Sequence, residues 1–247
     1  MLAACGGGGD DSPAAPDTQK PNNIGIPGGN TGTDPDKNKI SGKYQGKALT
    51  APAKALLPSG ISKNIGSDDL ASTTIDGKQL VLQIPNIISG ETTAIGGNVT
   101  FGNRSYQRFY ASGLNYQNSK FGYITEGGTD YIFSHGVPTA NMPTSGSARY
   151  TGAAFINKGG QVGPGVSDVS ADFGAKTITV DITPASKSPF TAISFKGLID
   201  GNKFNSVDNS AVDSHGYFYG DNASEVGGTV TDTRNNAFGS FGARRAN

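Results

Sequence analysis

The 247-residue chain carries one cysteine and two histidines, Cys5, His135 and His215, so thiolate or imidazole chemistry has three positions to use. Three such residues build neither a disulfide framework nor a Cys- or His-rich metal site. Carboxylates are scattered, and nothing in their spacing marks a pair for acid–base work. Neither G-x-x-x-x-G-K-[ST] nor G-x-G-x-x-G occurs, so the glycines form no recognised phosphate cradle. No G-x-S-x-G elbow presents a serine nucleophile. The residues point to a binding protein rather than an enzyme.

The densest chemical feature is aromatic. Between Phe101 and Phe133 lie nine of the chain's 21 aromatic residues: Phe101, Tyr106, Phe109, Tyr110, Tyr116, Phe121, Tyr123, Tyr131 and Phe133. Tyrosine suits a place with one apolar and one wet end, as on binding surfaces. If residues 131–135 form a strand, Tyr131, Phe133 and His135 share one face. Arg104 and Arg108 lie nearby and can pair with carboxylates. His135, Tyr131, Tyr123, Tyr110, Tyr106, Arg104 and Arg108 are therefore the candidate ligand-binding set, with His135 the candidate metal ligand. A second reading makes the rings the core of a small sheet and His135 a partly exposed strand-end residue. His215, just before Gly216, reads as a turn residue.

Leu2-Ala3-Ala4-Cys5 has the Leu-small-small-Cys form of a bacterial lipoprotein processing site, in which the cysteine thiol receives a diacylglycerol. Residues 1–5 are read as the remnant of a truncated signal segment ending in the lipidated cysteine. Two or three acyl chains on one residue anchor a protein stably to a membrane, whereas one is marginal. Gly6 stands where an inner-membrane retention signal would place Asp, which favours the outer membrane. Residues 6–40 are mostly Gly, Pro, Asp, Asn, Ser and Thr, with almost nothing to bury, and are expected to be a disordered tether. As a Gly-rich coil its reach is about 30–35 Å. No run of eighteen apolar residues offers a membrane-spanning helix. With 20 basic and 20 acidic side chains and no basic stripe, nucleic acid is not an expected partner.

Short strands must position these residues. The chain has 37 glycines, abundant Asn, Ser and Thr, and no long helical pattern, which reads as all-β. One β domain is expected over residues 41–140, with a turn at Asp76-Gly77 leading into Leu80–Ile84, then strands at Thr92–Thr100, Ser105–Ala111, Lys120–Glu126 and Tyr131–His135. Residues 139–146 read as a linker. Eight more strands are expected over 141–247: Ser147–Phe155, Val166–Phe173, Lys176–Ile182, Phe190–Ile199, Lys203–Val207, Gly216–Gly220, Val226–Asp232 and Asn236–Gly242. Ile178, Val180 and Ile182 alternate with Thr177, Thr179 and Asp181. Eight antiparallel strands suffice to close a small barrel filled by its own side chains.

Two stretches carry a family signature. The segment from Gly216 to Gly228, Gly-Tyr-Phe-Tyr-Gly-Asp-Asn-Ala-Ser-Glu-Val-Gly-Gly, resembles the G-x-F-Y-G-x-x-A-x-E-x-G-G segment of bacterial transferrin-binding protein B barrels. Phe238 to Arg245 resembles that family's closing strand, and Pro143 to Gly152 its barrel-opening strand. Ile75 to Leu80 is similar to a strand in the handle of factor H binding protein. Within the main segment, Gly220 permits a tight exit from a strand, Asp221 can cap one helical turn, and Gly227-Gly228 allows close packing. Glu225 is expected to satisfy backbone donors of that turn.

The resemblance implies a handle-like β domain followed by an eight-stranded antiparallel barrel. It also implies a surface-exposed lipoprotein, exported by an outer-membrane lipoprotein translocator, that binds a host protein or haem, with a TonB-dependent transporter as a further partner. Three functions follow. The first is capture of haem, or of a host haem or iron carrier such as haemoglobin or transferrin. Here His135 would be the axial ligand of haem iron, with an arginine on a propionate; no cofactor is required, haem being a bound ligand. The second is binding of a complement regulator for immune evasion, and the third a structural role in the envelope.

Overall fold

A computed structural model describes residues 41–84, 87, 89–207 and 211–246, and over these the chain is almost wholly β. Cys5 and the tether lie outside the described residues. Ten strands come first: β1 Tyr44–Pro52, β2 Lys63–Ser67, β3 Ser72–Ile75, β4 Lys78–Val81, β5 Thr92–Ile95, β6 Val99–Phe101, β7 Arg104–Tyr106, β8 Arg108–Ser112, β9 Ser119–Glu126 and β10 Thr129–Gly136. Eight follow: β11 Ser147–Lys158, β12 Gln161–Asp172, β13 Thr177–Pro184, β14 Ile193–Asp200, β15 Lys203–Ser206, β16 Val212–Tyr219, β17 Glu225–Asp232 and β18 Ala237–Arg245. Among the described residues no helix is long and apolar enough to cross a membrane.

Strands β11 to β18 close into an antiparallel barrel, β18 returning to β11 in a register running from Tyr150 opposite Arg245 to Lys158 opposite Ala237. Closure leaves no free edge. The turns follow local chemistry: Gly159-Gly160 joins β11 to β12 with both φ values positive (62° and 78°), as a two-residue hairpin of type I′ requires. Inward residues fill the lumen. Phe204 stacks edge-on with Phe218 and tilts against Phe241, over strands where Gly216 and Gly228 leave its ring room.

The first ten strands make the handle. Its main sheet has the order β2-β1-β10-β9-β8-β5, and the small hairpins β3–β4 and β6–β7 pack on one face. Its opposite face lies on the barrel, where Leu49, Tyr110, Tyr116, Phe121, Tyr123 and Ile132 meet Phe155 and Phe238. Strands β8, β9 and β10 are thus buried on both sides, while the edge strands β2 and β5 remain partly exposed.

Each of the eight barrel strands overlaps its expected segment, and the hairpin at Asp76-Gly77 forms as expected. The handle departs more. β1, between β2 and β10, matches no expected strand, because Gly46, Ala48 and Ala51 pack on both faces without an apolar–polar alternation to betray them. The expected strand Thr92–Thr100 breaks after Ile95, and Ser105–Ala111 breaks at Gln107. Residues 139–146 are no free linker. Thr139 is buried, its N–H donating to Phe218 O (2.9 Å) and its hydroxyl to Gly220 O (2.8 Å).

Candidate binding site

The aromatic set expected to line one binding surface is divided between two faces. Side chains alternate across a strand, so neighbours on β8, β9 and β10 point opposite ways. Tyr106, Phe109, Tyr131 and Phe133 enter the core under the small hairpins, with Phe101 packed at its margin. Tyr110, Tyr116, Phe121 and Tyr123 enter the seam with the barrel. Phe121 and Tyr110 lie against Phe155, with ring centroids 5.9 and 5.5 Å apart. The rings therefore serve as handle core and as seam, and not as an open tyrosine surface.

Polar side chains of the seam pair with one another around Asp130. Asp130 accepts hydrogen bonds from the Tyr123 and Thr125 hydroxyls, each 2.6 Å, and Asn157 of β11 donates to the Tyr123 oxygen at 2.7 Å. Burial pushes Asp130 above the usual carboxylate range despite those bonds. Burial first, then the Asp130 charge, drives Tyr123 far above an ordinary phenol. Tyr123 is thus a fixed neutral donor. Arg108 donates to Gly160 O at 2.8 Å and stands 3.9 Å from Asp130, so it spans the seam as well.

On the far face Arg104 forms a fork on Glu126, with 3.3 and 2.8 Å bonds, and also reaches Gln79 O. Lys78 completes the group 3.1 Å from Glu126. Burial raises Glu126, but the bonds from Arg104 and Lys78 outweigh it and hold the carboxyl low. Both arginines do pair with protein carboxylates, and the Arg104 fork is already filled.

His135 ends on the Tyr131–Phe133 face as its strand register requires, but it is fully buried, not a partly exposed strand-end residue. Its Nε2 lies 3.2 Å from Leu70 O, and Nδ1 has no partner. Burial lowers its pKa from 6.5 to about 4. The ring is enclosed by Tyr44 and Phe133, so it offers no nitrogen to a planar iron ligand in this arrangement. The expected haem constellation does not assemble, because strands β8 to β10, which carry most of it, are covered on both faces. Among the described residues no group of three or more His, Cys, Asp or Glu side chains is placed to hold a metal. His215 lies on β16, not in a turn, paired with Asp213 at 2.9 Å and Asn205 at 2.6 Å.

The glycine-rich signature builds the other half of the seam. Gly220 has φ 70°, and a Cβ there would fall 2.4 Å from Ser224 Oγ. Asp221 opens a single 3-10 turn, Asp221–Ala223, without capping it through its side chain. Glu225 does satisfy backbone donors, but those of the handle: it accepts from Gln117 N (2.9 Å), Asn118 N (3.0 Å) and the Ser119 hydroxyl (2.6 Å). A strand-end carboxylate of the barrel thereby fixes a handle loop more than a hundred residues earlier. Gly242 leaves the space that the Phe121 ring fills, where a Cβ would lie 2.3 Å from it.

With the aromatics enclosed, the exposed apolar surface lies elsewhere. The β1–β2 connection presents Leu56 (59% exposed), Leu57 (36%) and Ile61 (80%) within six residues. The loop is held by local bonds, Ala53 N to Gly128 O and Ser59 N to Thr50 O, both 2.9 Å, and by Ser62 against Thr229 of the barrel at 2.8 Å. Three exposed aliphatics within six residues of one pinned loop are more closely spaced along the chain than the scattered singles normal on a surface. The run Ala55-Leu56-Leu57-Pro58-Ser59-Gly60-Ile61, apolar yet broken by Pro and Gly, is the sequence signal that would have found it.

Comparison with known proteins agrees with this architecture. Residues 142–245 match the family model of the C-lobe and N-lobe beta barrels of Tf-binding protein B. Over these residues the chain is similar to the barrels of that protein family. Transferrin-binding protein B of Moraxella catarrhalis is 27% identical over 193 residues, covering 64% of this chain and 26% of that protein. Isotype 1 transferrin binding protein B from serogroup B Neisseria meningitidis superposes with a TM-score of 0.56 at 20% identity, over 83% of this chain and 43% of that one. HpuA from Kingella denitrificans, solved in complex with human haemoglobin, gives 0.52 at 14% identity, over 85% and 90%. At these identities the solved structures establish the fold, and the chain spans about a quarter of the Moraxella protein.

Proposed function

We propose that the chain is a lipid-anchored outer-membrane protein, exposed at the cell surface, that captures a host haem- or iron-carrying protein of the haemoglobin or transferrin type for nutrient uptake. The observation that carries this reading is the pinned loop with exposed Leu56, Leu57 and Ile61 beside a fully enclosed aromatic core. Such a surface suits the apolar centre of a protein–protein interface, where a few desolvated side chains supply most of the affinity. A planar small ligand would need an open aromatic slot. The names of the relatives support the choice of partner, since one binds transferrin and another was solved with haemoglobin. Haem enters as the carrier's cargo. Cys5 would hold the anchor, an outer-membrane lipoprotein translocator would export the chain, and a TonB-dependent transporter would take the released iron or haem. The protein is read as a receptor and not as an enzyme.

The test immobilises the full chain and flows haemoglobin, iron-loaded transferrin and complement factor H over it, beside a titration with free haem followed by Soret absorbance. Saturable binding of haemoglobin or transferrin is expected, weakened at least tenfold in a Leu56→Ser, Ile61→Ser double variant. Factor H alone would move the reading to immune evasion. A Soret shift without carrier binding would restore direct haem capture.

A further inference from the structure

His135 is the one fully buried histidine, and neither the seam nor the exposed loop uses it. Its Nε2 lies 3.2 Å from Leu70 O in the corner that joins β2 to β3. We propose that the corner Asp68–Ala71 is an acid-released latch, closed while His135 is neutral and opened when its imidazole takes a second proton. In the closed form Nε2–H donates to Leu70 O, which leaves the Nδ1 lone pair facing protein with no partner. The second proton goes to Nδ1, so the cation would carry a buried N–H without an acceptor.

The Asp69 carboxylate favours that charge, but Lys120 opposes it and burial outweighs both. From the corner, the Asp69 carboxylate is already engaged by Ala71 N (2.9 Å) and Ser72 Oγ (2.8 Å), and Asp68 accepts from Lys43 N at 3.3 Å. From β9, directly opposite His135, comes Lys120, a like charge whose ammonium donates to Gly113 O and Tyr116 O. From the start of β1 come the Tyr44 ring, 6.2 Å away, and Lys43, whose ammonium lies over that ring. The corner's other bonds are mostly internal: Ser67 Oγ donates to Ser72 O at 2.8 Å and receives Asp69 N at 3.1 Å. Out of it run the Leu70 bond to β10, the long bond from Lys43 N just before β1, and Leu82 N to Ala71 O at 2.8 Å. Lifting the corner is thus the least disruptive way to give Nδ1 water.

The direction of linkage is fixed. Burial lowers the closed-state pKa to about 4 against 6.5 in the open state. The open state binds the proton more tightly, so the stability of the closed corner has its full value above about pH 6.5 and falls as pH drops toward 4. At pH 5 the closed-to-open ratio drops about thirtyfold.

The test uses the full chain. Hydrogen exchange at residues 68–73, corrected for the intrinsic pH dependence, is compared at pH 7.5 and pH 5 with exchange in β17 and β18. Wild type is expected to lose protection at the corner by at least tenfold while the barrel strands hold, and His135→Gln is expected to lose none. Because the chain has two histidines, ring 15N spectra of wild type also report on His135 directly, whether or not the variant folds. A neutral Nε2–H tautomer persisting below pH 6 is expected. A ring that titrates near 6.5, or a corner equally protected at both pH values, would overturn the latch.

Discussion

Strands β12 to β14 and strands β16 to β18 belong to one barrel ladder, yet they present opposite burial patterns. β12 and β14 alternate buried and exposed residues along nearly their whole length. β17 and β18 are buried at almost every position. Their inward residues follow one rule, and the difference lies outside. The outward side of β14 shows Ser194, Lys196, Leu198 and Asp200 to water, whereas β17 and β18 turn Glu225, Gly227, Thr229, Phe238, Ser240 and Gly242 toward the handle. The covered wall is recognised less by hydrophobicity than by missing side chains and by polar groups with distant partners. Ser240 donating to Gly122 O at 2.8 Å is one such partner, and Glu225 on the 117–119 loop is another.

The contrast can be broken at three places. Phe204→Ala should cost most, about 3–5 kcal/mol, since a large buried ring vanishes from a lumen packed by Phe218 and Phe241. Urea unfolding of the variant measures it, and a loss under about 1 kcal/mol would mean that the lumen collapses freely. Glu225→Ala should cost about 2 kcal/mol, because Gln117 N and Asn118 N lose a shared acceptor inside the seam. Hydrogen exchange should quicken at residues 117–119 and stay slow in β12 to β14; uniform quickening would mean that seam and barrel unfold as one. Leu198→Ser, on the water-facing wall, should lie within about 0.5 kcal/mol of wild type. A large effect there would show that this wall also meets a surface.

Much of the barrel was legible before any coordinates. Period-two alternation in Thr177–Ile182 and the segment from Gly216 to Gly228 are local features that bias the backbone directly. The candidate site was legible in composition and misplaced in space. The aromatic enrichment is real, and Tyr131, Phe133 and His135 do share a face. But alternation that sends Phe109 to one core sends Tyr110 to the other, and sequence alone carries no sign of which face meets water. β1 lacks a local signature for the same reason, its small residues being packed from both sides.

By itself the sequence determined an all-β chain, a closed eight-stranded barrel, the turns and the arginine–carboxylate pairing. Tertiary structure alone decided that strands β8 to β10 of the handle are covered twice, that Glu225 serves a loop a hundred residues away, and that Leu56, Leu57 and Ile61 remain outside. The reason is one of range. Turn chemistry and strand period act over two to four residues, whereas burial is set by whichever surface arrives from elsewhere in the chain.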